Sequence, residues 1–270
     1  MPELPEMEMT RRRIEPVLAG KKVEGVIVYS EKLRRLSPRE LQAELPGRTV
    51  QGVDRRGKYL LIRCTGGTVI VHMGLTGELV IRKKGTPAGS SDHLDILLEG
   101  DSILRFHDPR RFGRAAWTTG DPLEHPLLLN LGPEPLERTF DGTYLCKKAR
   151  GHKVPIKPFI MDGHVVAGVG NMYANEGLFR AGIDPARPAG QLEEQECEKL
   201  AEGLREAVNS ALVEEEKALV SSGGTDEEPE AAVHFNVYRR TGKPCPRCHS
   251  PIVTMRQADR STYYCASCQR

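Results

Sequence analysis

Apolar residues recur at Leu4, Met7, Ile14 and Leu18, near-helical spacing that predicts one helix over residues 2–19, with Pro5 suited to its first turn and Gly20 to its end. From Lys22 to about Trp117 the pattern changes to short β-rich runs at 23–29, 59–63, 68–72, 78–81 and 94–98, punctuated by Gly and Asp. That succession predicts a β-sandwich or barrel. Residues 121–141 hold Asp-Pro, His-Pro and Gly-Pro-Glu-Pro, which break regular structure and read as a linker between domains. Beyond it, helices are expected at 143–150, 155–161, 173–181 and 191–219, the last marked by Leu192, Leu200, Leu204, Val208, Ala211 and Leu212. Residues 163–171 separate two of these helices in a turn longer than that of an ordinary helix-turn-helix, and Gly168 and Gly170 would let backbone amides approach a phosphate. The segment 221–230 reads as a linker.

The chain has 270 residues, 39% hydrophobic and 28% charged, the balance of a soluble globular protein, and no run approaches the roughly 18 apolar residues of a membrane span. No membrane partner is expected. Its start, Met-Pro-Glu-Leu-Pro-Glu, has acids where a secretory leader has basic and apolar residues, so the cytoplasm is the expected compartment. The net charge of +2 hides a partition. Residues 191–230 carry thirteen acids against Lys199, Arg205 and Lys217, a balance of −10. Residues 234–270 carry seven basic residues against Asp259, a balance of +6. A basic tail suits a phosphate-binding surface, where released counterions supply non-specific affinity; a solvated tail is the other reading.

The tail also carries the strongest motif. Cys245-Pro-Arg-Cys248 and Cys265-Ala-Ser-Cys268, sixteen residues apart, are two CxxC knuckles at the separation of a tetrahedral all-thiolate zinc site. Disulfides or unrelated thiols are the alternatives. Four protein ligands leave no open position for water, so one zinc ion there would organise the fold and perform no chemistry. Residues 251–255 and 261–264 read as a β-hairpin whose tip, 257–260, presents Arg260 to solvent. Cys64, Cys146 and Cys197 are scattered and read as free thiols.

At the other end, a proline in second place favours removal of Met1, which would leave Pro2 as a secondary amine. Such an amine can attack a sugar C1′ and form an iminium. Pro2 and Pro5 equally suit a helix start. What distinguishes the readings is a set of motifs along the whole chain: Met1-Pro-Glu-Leu-Pro-Glu6, Arg56-Gly-Lys-Tyr59, His72-Met-Gly-Leu-Thr-Gly77, Asp108-Pro-Arg-Arg-Phe-Gly113, Leu131-Gly-Pro-Glu-Pro135, Gly168-Val-Gly-Asn-Met-Tyr-Ala174 and the four-cysteine tail. In order and spacing they resemble bacterial formamidopyrimidine-DNA glycosylase.

The resemblance implies an α+β multidomain protein: an N-terminal β-sandwich with a leading helix over 1–130, a helix-two-turn-helix domain over 131–232 and a zinc finger over 233–270. It implies a monomer acting on damaged double-stranded DNA, excising oxidised purines through a Schiff base on Pro2 and cutting the strand by β,δ-elimination. By resemblance Glu3 assists sugar ring opening, and Lys58 and Arg260 grip phosphate, Arg260 also in eliminating the strand-end phosphate. Glu6 matches the family's second N-terminal acid, while Lys157 and Glu176 match residues near the reacting nucleotide. His72, Asn171 and Tyr173 fall in phosphate-contact motifs, although Tyr173 also reads as core. Arg110 would pair with the orphaned base, with Phe112 and Leu75 as wedges that hold the stack open; the family more often has methionine at the latter position. The segment 221–232 is acidic and lacks the aromatic residues of the family's base-covering loop. An endonuclease VIII-like enzyme for oxidised pyrimidines is the nearest rival, and a non-catalytic damaged-DNA-binding protein is the rival of another class.

Overall fold

The computed structural model describes residues 1–29, 38–221 and 233–270. The chain divides into two compact units, one comprising Met1–Pro2 and Glu6–Asn130, the other Glu3–Pro5, Leu131–Ala218 and the described residues from 233 onward. Each is described by itself.

In the first unit, β1 (Val23–Val28), β6 (Asp92–Leu98), β7 (Ser102–His107) and β5 (Glu78–Lys83) form one antiparallel sheet in that order. A second antiparallel sheet orders β2 (Val50–Arg56), β3 (Tyr59–Cys64), β4 (Gly67–His72) and β8 (Arg114–Thr118). Their inward residues, among them Val53, Leu60, Val69, Leu94, Leu104, Phe106 and Trp117, form one core with Met7, Ile14 and Leu18 of helix α1 (Leu4–Leu18) and Leu41 and Leu45 of the α2 region (Pro38–Glu44). This is the expected β-sandwich with its leading helix.

The sequence pattern did not anticipate β2, β7, β8 or α2. In β2 a glycine and three charges interrupt alternation. In β7 a charge faces inward: Arg105, 4% exposed, donates from Nε and one NH2 to both oxygens of Asp95 at 2.8 and 2.7 Å and reaches the carbonyls of Thr86 and Pro87. Hydropathy counts such a residue against burial, whereas a bidentate carboxylate and two carbonyls satisfy its charge inside the fold.

The second unit contains α3 (Gly142–Ala149), α4 (Ile156–Ile160), α5 (Asn171–Ala181) and α6 (Glu194–Ser221), packed around Phe140, Leu145, Ile160, Tyr173, Leu200 and Leu204. Its C-terminal hairpin pairs β9 (Val253–Gln257) with β10 (Arg260–Tyr264). Ala258 and Asp259 both have positive φ, 44° and 60°, the conformation of a two-residue hairpin turn that continues the twist of its strands. Among the described residues no helix is long and apolar enough to cross a membrane.

Helix α1 is fastened to β2 by charge. Glu8 accepts hydrogen bonds from Arg11, Arg12 and Arg55, and Arg11 also bonds Glu15. Burial pushes the Glu8 carboxyl up, but bonds from Arg11 and Arg12 and the charges of Arg11 and Arg55 outweigh it and hold the group at about 2. A carboxyl lowered in the folded state stabilises above its unfolded value and loses that stabilisation as pH falls through the folded one. Glu8→Gln should therefore cost about 1–3 kcal/mol at pH 7. In chemical denaturation series the difference from the parent should shrink as pH is lowered from about 4.5 towards 2.

Candidate functional site

The first unit assembles two neighbouring groups of candidate residues. Lys58 sits in the two-residue turn between β2 and β3, where Arg56 pairs with Tyr59 and Gly57 has φ 57°. His72, at the end of the adjacent β4, packs against Tyr59 with the rings tilted and their centroids 4.8 Å apart. Its Nδ1 accepts a hydrogen bond from the Gly74 amide at 3.0 Å, which assigns the ring proton to Nε2. Burial, and the like charges of Lys58 and Arg114, lower the imidazole to about 4. His72 is thus a neutral N–H donor beside a lysine.

The second group lies on two loops held together by Asp108. This fully buried carboxylate accepts from Thr76 Oγ1 at 2.7 Å and from the amides of Arg110 and Gly113 at 3.2 and 2.8 Å. His93 Nε2 donates to the Asp108 carbonyl at 2.8 Å. Gly74, at φ +66°, lies so close that a Cβ there would be 2.6 Å from the Phe112 carbonyl carbon. The loops consequently present Leu75, Arg110 and Phe112 together: Phe112 is 40% exposed, and the Arg110 guanidinium lies 5.2 Å from its ring centre. Thr76 and Asp108 stand in the motifs quoted from the sequence but were given no role there, and His93 was not singled out; an Asp opening a tight turn that ends in Gly was the available signal. Pro2 is half-buried, and Glu6 lies in the first turn of α1.

In the second unit Glu3 occupies the N-terminus of α5. Its carboxylate, 1% exposed, accepts from the amides of Gly170, Met172 and Tyr173 at 2.7, 2.8 and 3.3 Å. Those are donors that a helix start leaves unpaired, and the helix dipole favours an anion there. The Leu4 amide donates to the Gly168 carbonyl at 3.0 Å, and Gly168 has φ +90° with Leu4 so near that a Cβ would stand 2.8 Å from it. The two-turn segment therefore needs glycine at that position.

Lys157 is buried, and its ammonium donates to Asn171 Oδ1, Thr262 Oγ1 and the Ser261 carbonyl at 2.7, 2.8 and 3.2 Å. It thereby joins the start of α5 to β10. Burial, and secondarily the charge of Arg260, lower it to about 8 against the opposing pull of Glu3. Arg260 is exposed at the hairpin turn and, with Lys157, Met161, Asp162 and Gln257, lines a cleft of about 210 Å³.

Two further candidates, Tyr173 and Glu176, are buried. The Tyr173 ring is 1% exposed in the core beside Phe235, which is the core reading of this residue, and its backbone amide donates to Glu3. Glu176, 3% exposed, accepts from the amides of Asn236, Val237 and Tyr238 and from the Asn236 side chain. Its carboxylate is engaged in anchoring the chain that leads into the finger. From residue 222 on, the acidic segment lies outside the described residues.

The thiols of Cys245, Cys248, Cys265 and Cys268 all lie within 4.8 Å of one another, with pairs at 3.4 and 3.9 Å. A tetrahedral site with metal–sulfur distances of about 2.3 Å has sulfur–sulfur edges of about 3.8 Å, so the donor set and its spacing fit.

Comparison with known proteins agrees with this architecture. Family models match at residues 1–115 (formamidopyrimidine-DNA glycosylase N-terminal domain), 131–222 (formamidopyrimidine-DNA glycosylase H2TH domain) and 242–270 (zinc finger found in FPG and IleRS). Sandwich, helix-two-turn-helix and four-cysteine finger, in that order, define a DNA-repair glycosylase of the helix-two-turn-helix class. The chain is 49% identical to the formamidopyrimidine-DNA glycosylase of Geobacter metallireducens and 47% identical to that of Methylococcus capsulatus, each match spanning 100% of both chains. It resembles the solved Lactococcus lactis enzyme in complex with DNA containing an oxidised pyrimidine (TM-score 0.90, 31% identity, 100% of both chains). It also resembles the Thermus thermophilus enzyme (TM-score 0.84, 36% identity, 99% and 98% covered). The chain belongs to the formamidopyrimidine-DNA glycosylase family.

The His72 environment makes a direct prediction. In an NMR titration its ring resonances should show a midpoint near 4, and Lys58→Met, which removes a like charge, should move that midpoint upward. A midpoint near the ordinary histidine value in the parent would contradict this geometry.

Proposed function

We propose that this chain removes oxidised purines, formamidopyrimidines foremost, from duplex DNA and then cuts the strand at the resulting abasic site. The observation that carries the reading is full-length identity of 49% to a formamidopyrimidine-DNA glycosylase, with the N-terminal Pro-Glu-Leu-Pro-Glu motif intact. Once Met1 is removed, the Pro2 nitrogen attacks C1′ of the damaged nucleotide. The glycosidic bond breaks, the base leaves with a proton, and an iminium joins Pro2 to the opened sugar. The iminium acidifies the C2′ protons. Loss of one expels the 3′ phosphate, and a second elimination frees the 5′ phosphate.

Glu3 is the acid that serves ring opening and the later proton transfers. Its three amide bonds hold the carboxylate in place next to Pro2 in the chain. Lys58, His72, Asn171 and Arg260 grip the phosphates, and His72 acts as a neutral donor. Lys157 positions Asn171 and the hairpin that bears Arg260, and Glu176 positions the segment that leads into the finger. Glu6 is the auxiliary acid of the site. An extruded base leaves a gap whose opening costs a few kcal/mol, and Arg110, Phe112 and Leu75 fill it. One structural Zn2+ held by the four thiols maintains the finger, and the protein acts as a cytoplasmic monomer on damaged double-stranded DNA. Oxidised pyrimidines are a second substrate reading, supported by the Lactococcus lactis relative bound to DNA containing one.

Borohydride should trap the enzyme on an abasic-site duplex and on duplexes with formamidopyrimidine or with 8-oxoguanine opposite cytosine, and trap it less with dihydrouracil. Acetylating the N-terminal amine, or retaining Met1, should abolish trapping. Absence of a covalent adduct with the abasic site would overturn the catalytic assignment. Stripping the metal with a strong chelator should release one zinc per chain and weaken DNA binding at least tenfold, restored by zinc. Proton transfers within an adduct already formed should be spared, because the closed site has no open position for chemistry.

A further inference from the structure

Three cysteines lie outside the finger, and two of them pack at one core where two helices adjoin. Gly142 opens α3 directly against the start of α6: its amide donates to Glu198 Oε2 at 3.1 Å, and a Cβ there would stand 2.6 Å from the Glu198 Cα. Cys146 lies one helical turn beyond Gly142 and so on the same face of α3. Cys197 immediately precedes Glu198. Cys197 is fully buried in the helical core, and Cys146 is half-buried and packed against that core. The two thiols are near enough that Cys146 raises the pKa of Cys197. From this juxtaposition we propose that Cys146 and Cys197 are a redox-active pair that a hydroperoxide closes into a disulfide, stapling α3 to α6.

The order of reaction follows from exposure. Cys146 is the thiol that solvent reaches, whereas burial and the neighbouring thiol push Cys197 up to about 12 and leave it inert towards a first attack. Cys146 Sγ attacks the terminal peroxide oxygen, a sulfur–oxygen bond forms, the oxygen–oxygen bond breaks and water (from hydrogen peroxide) or an alcohol (from an alkyl hydroperoxide) leaves with the thiol proton, giving a sulfenic acid. Cys197 Sγ then attacks Cys146 Sγ. The sulfur–sulfur bond forms, the sulfur–oxygen bond breaks, and the hydroxyl departs with the Cys197 proton as water. Two thiols are oxidised and one hydroperoxide is reduced, with no other reactant.

The staple would enclose residues 146–197, which include α4, the two-turn segment and α5 with its bound Glu3 carboxylate. A cross-link closing a loop of this length removes much freedom from the unfolded chain. The part of the fold that holds Lys157 and Asn171 would thus be reinforced under the conditions that oxidise DNA bases.

The test uses the zinc-loaded full chain treated with a few equivalents of hydrogen peroxide, blocked with N-ethylmaleimide and digested with trypsin without reduction. Residues 139–147 should be recovered joined to residues 181–199, since the Arg187–Pro188 bond resists cleavage, and dithiothreitol should separate them. Buried Cys64 should stay alkylatable only after unfolding and serves as the internal control. The Tm should rise on the order of 5–10 °C on oxidation and return on reduction. Cys197→Ser should abolish both the joined peptide and the rise. Cys146→Ser, at the less buried position, should do the same and keeps the test valid if Cys197→Ser does not fold. Recovery of Cys146 as a sulfinic acid with Cys197 still reduced, or a Tm rise that persists in Cys146→Ser, would overturn the proposal.

Discussion

Three buried carboxylates, each satisfied by backbone amides, fix the segments that carry the candidate site. A carboxylate withdrawn from water is tolerated only where donors replace its hydration, so each such residue dictates the shape of the chain around it. Glu3 gathers three amides at the start of α5, Asp108 ties the 110–113 turn to Thr76, and Glu176 collects the chain entering the finger. If any of the three were replaced by an apolar residue, several amides would lose their acceptor at once. The loops between them hold the exposed groups, and the anchors themselves have little exposed surface. Glu3 is the exception in being both an anchor and, in the proposed chemistry, a reacting acid.

The same logic separates positioning residues from contact residues. The three N–H donors of Lys157 each meet an acceptor within the protein, so its charge is used to join α5 to the hairpin and little of it is left for a ligand. Arg260, Arg110 and Phe112 are exposed, as the contacts in the proposed function require. His72 shows a subtler form of tuning. Burial beside Lys58 and Arg114 keeps the ring neutral, and its bond from Gly74 leaves Nε2–H as the donor. A neutral donor in a basic surface can grip phosphate without adding repulsion.

Much was legible in the sequence, for reasons that differ by element. The four cysteines declare themselves because metal ligation requires fixed residue types at fixed spacing, and their thiols do converge. Helices α1 and α6 were readable because a single apolar stripe is enough to bury one face. The β-sandwich was readable as a class, yet β2 and β7 were not, since their inward positions include glycine and a charge paired across strands, and β8 has only Ala115 and Trp117 buried. The roles of Lys58, Leu75, Arg110 and Phe112 came from the resemblance, and local pattern gives no reason to join them.

What the sequence determined by itself was the order of modules, the four-thiol centre and membership of a family whose motifs are colinear over the whole chain. The tertiary structure decided which of those motif residues face inward. Tyr173 and Asn171 are two residues apart on one helix, and only packing places the first in the core and leaves the second half-exposed at the helix start. Tertiary packing likewise brought Cys146 and Cys197, fifty-one positions apart in sequence (197 − 146), to the same helical core. Sequence periodicity reports which face of an element is apolar. Which element covers that face, and which polar group there finds a partner, is settled only when distant segments meet.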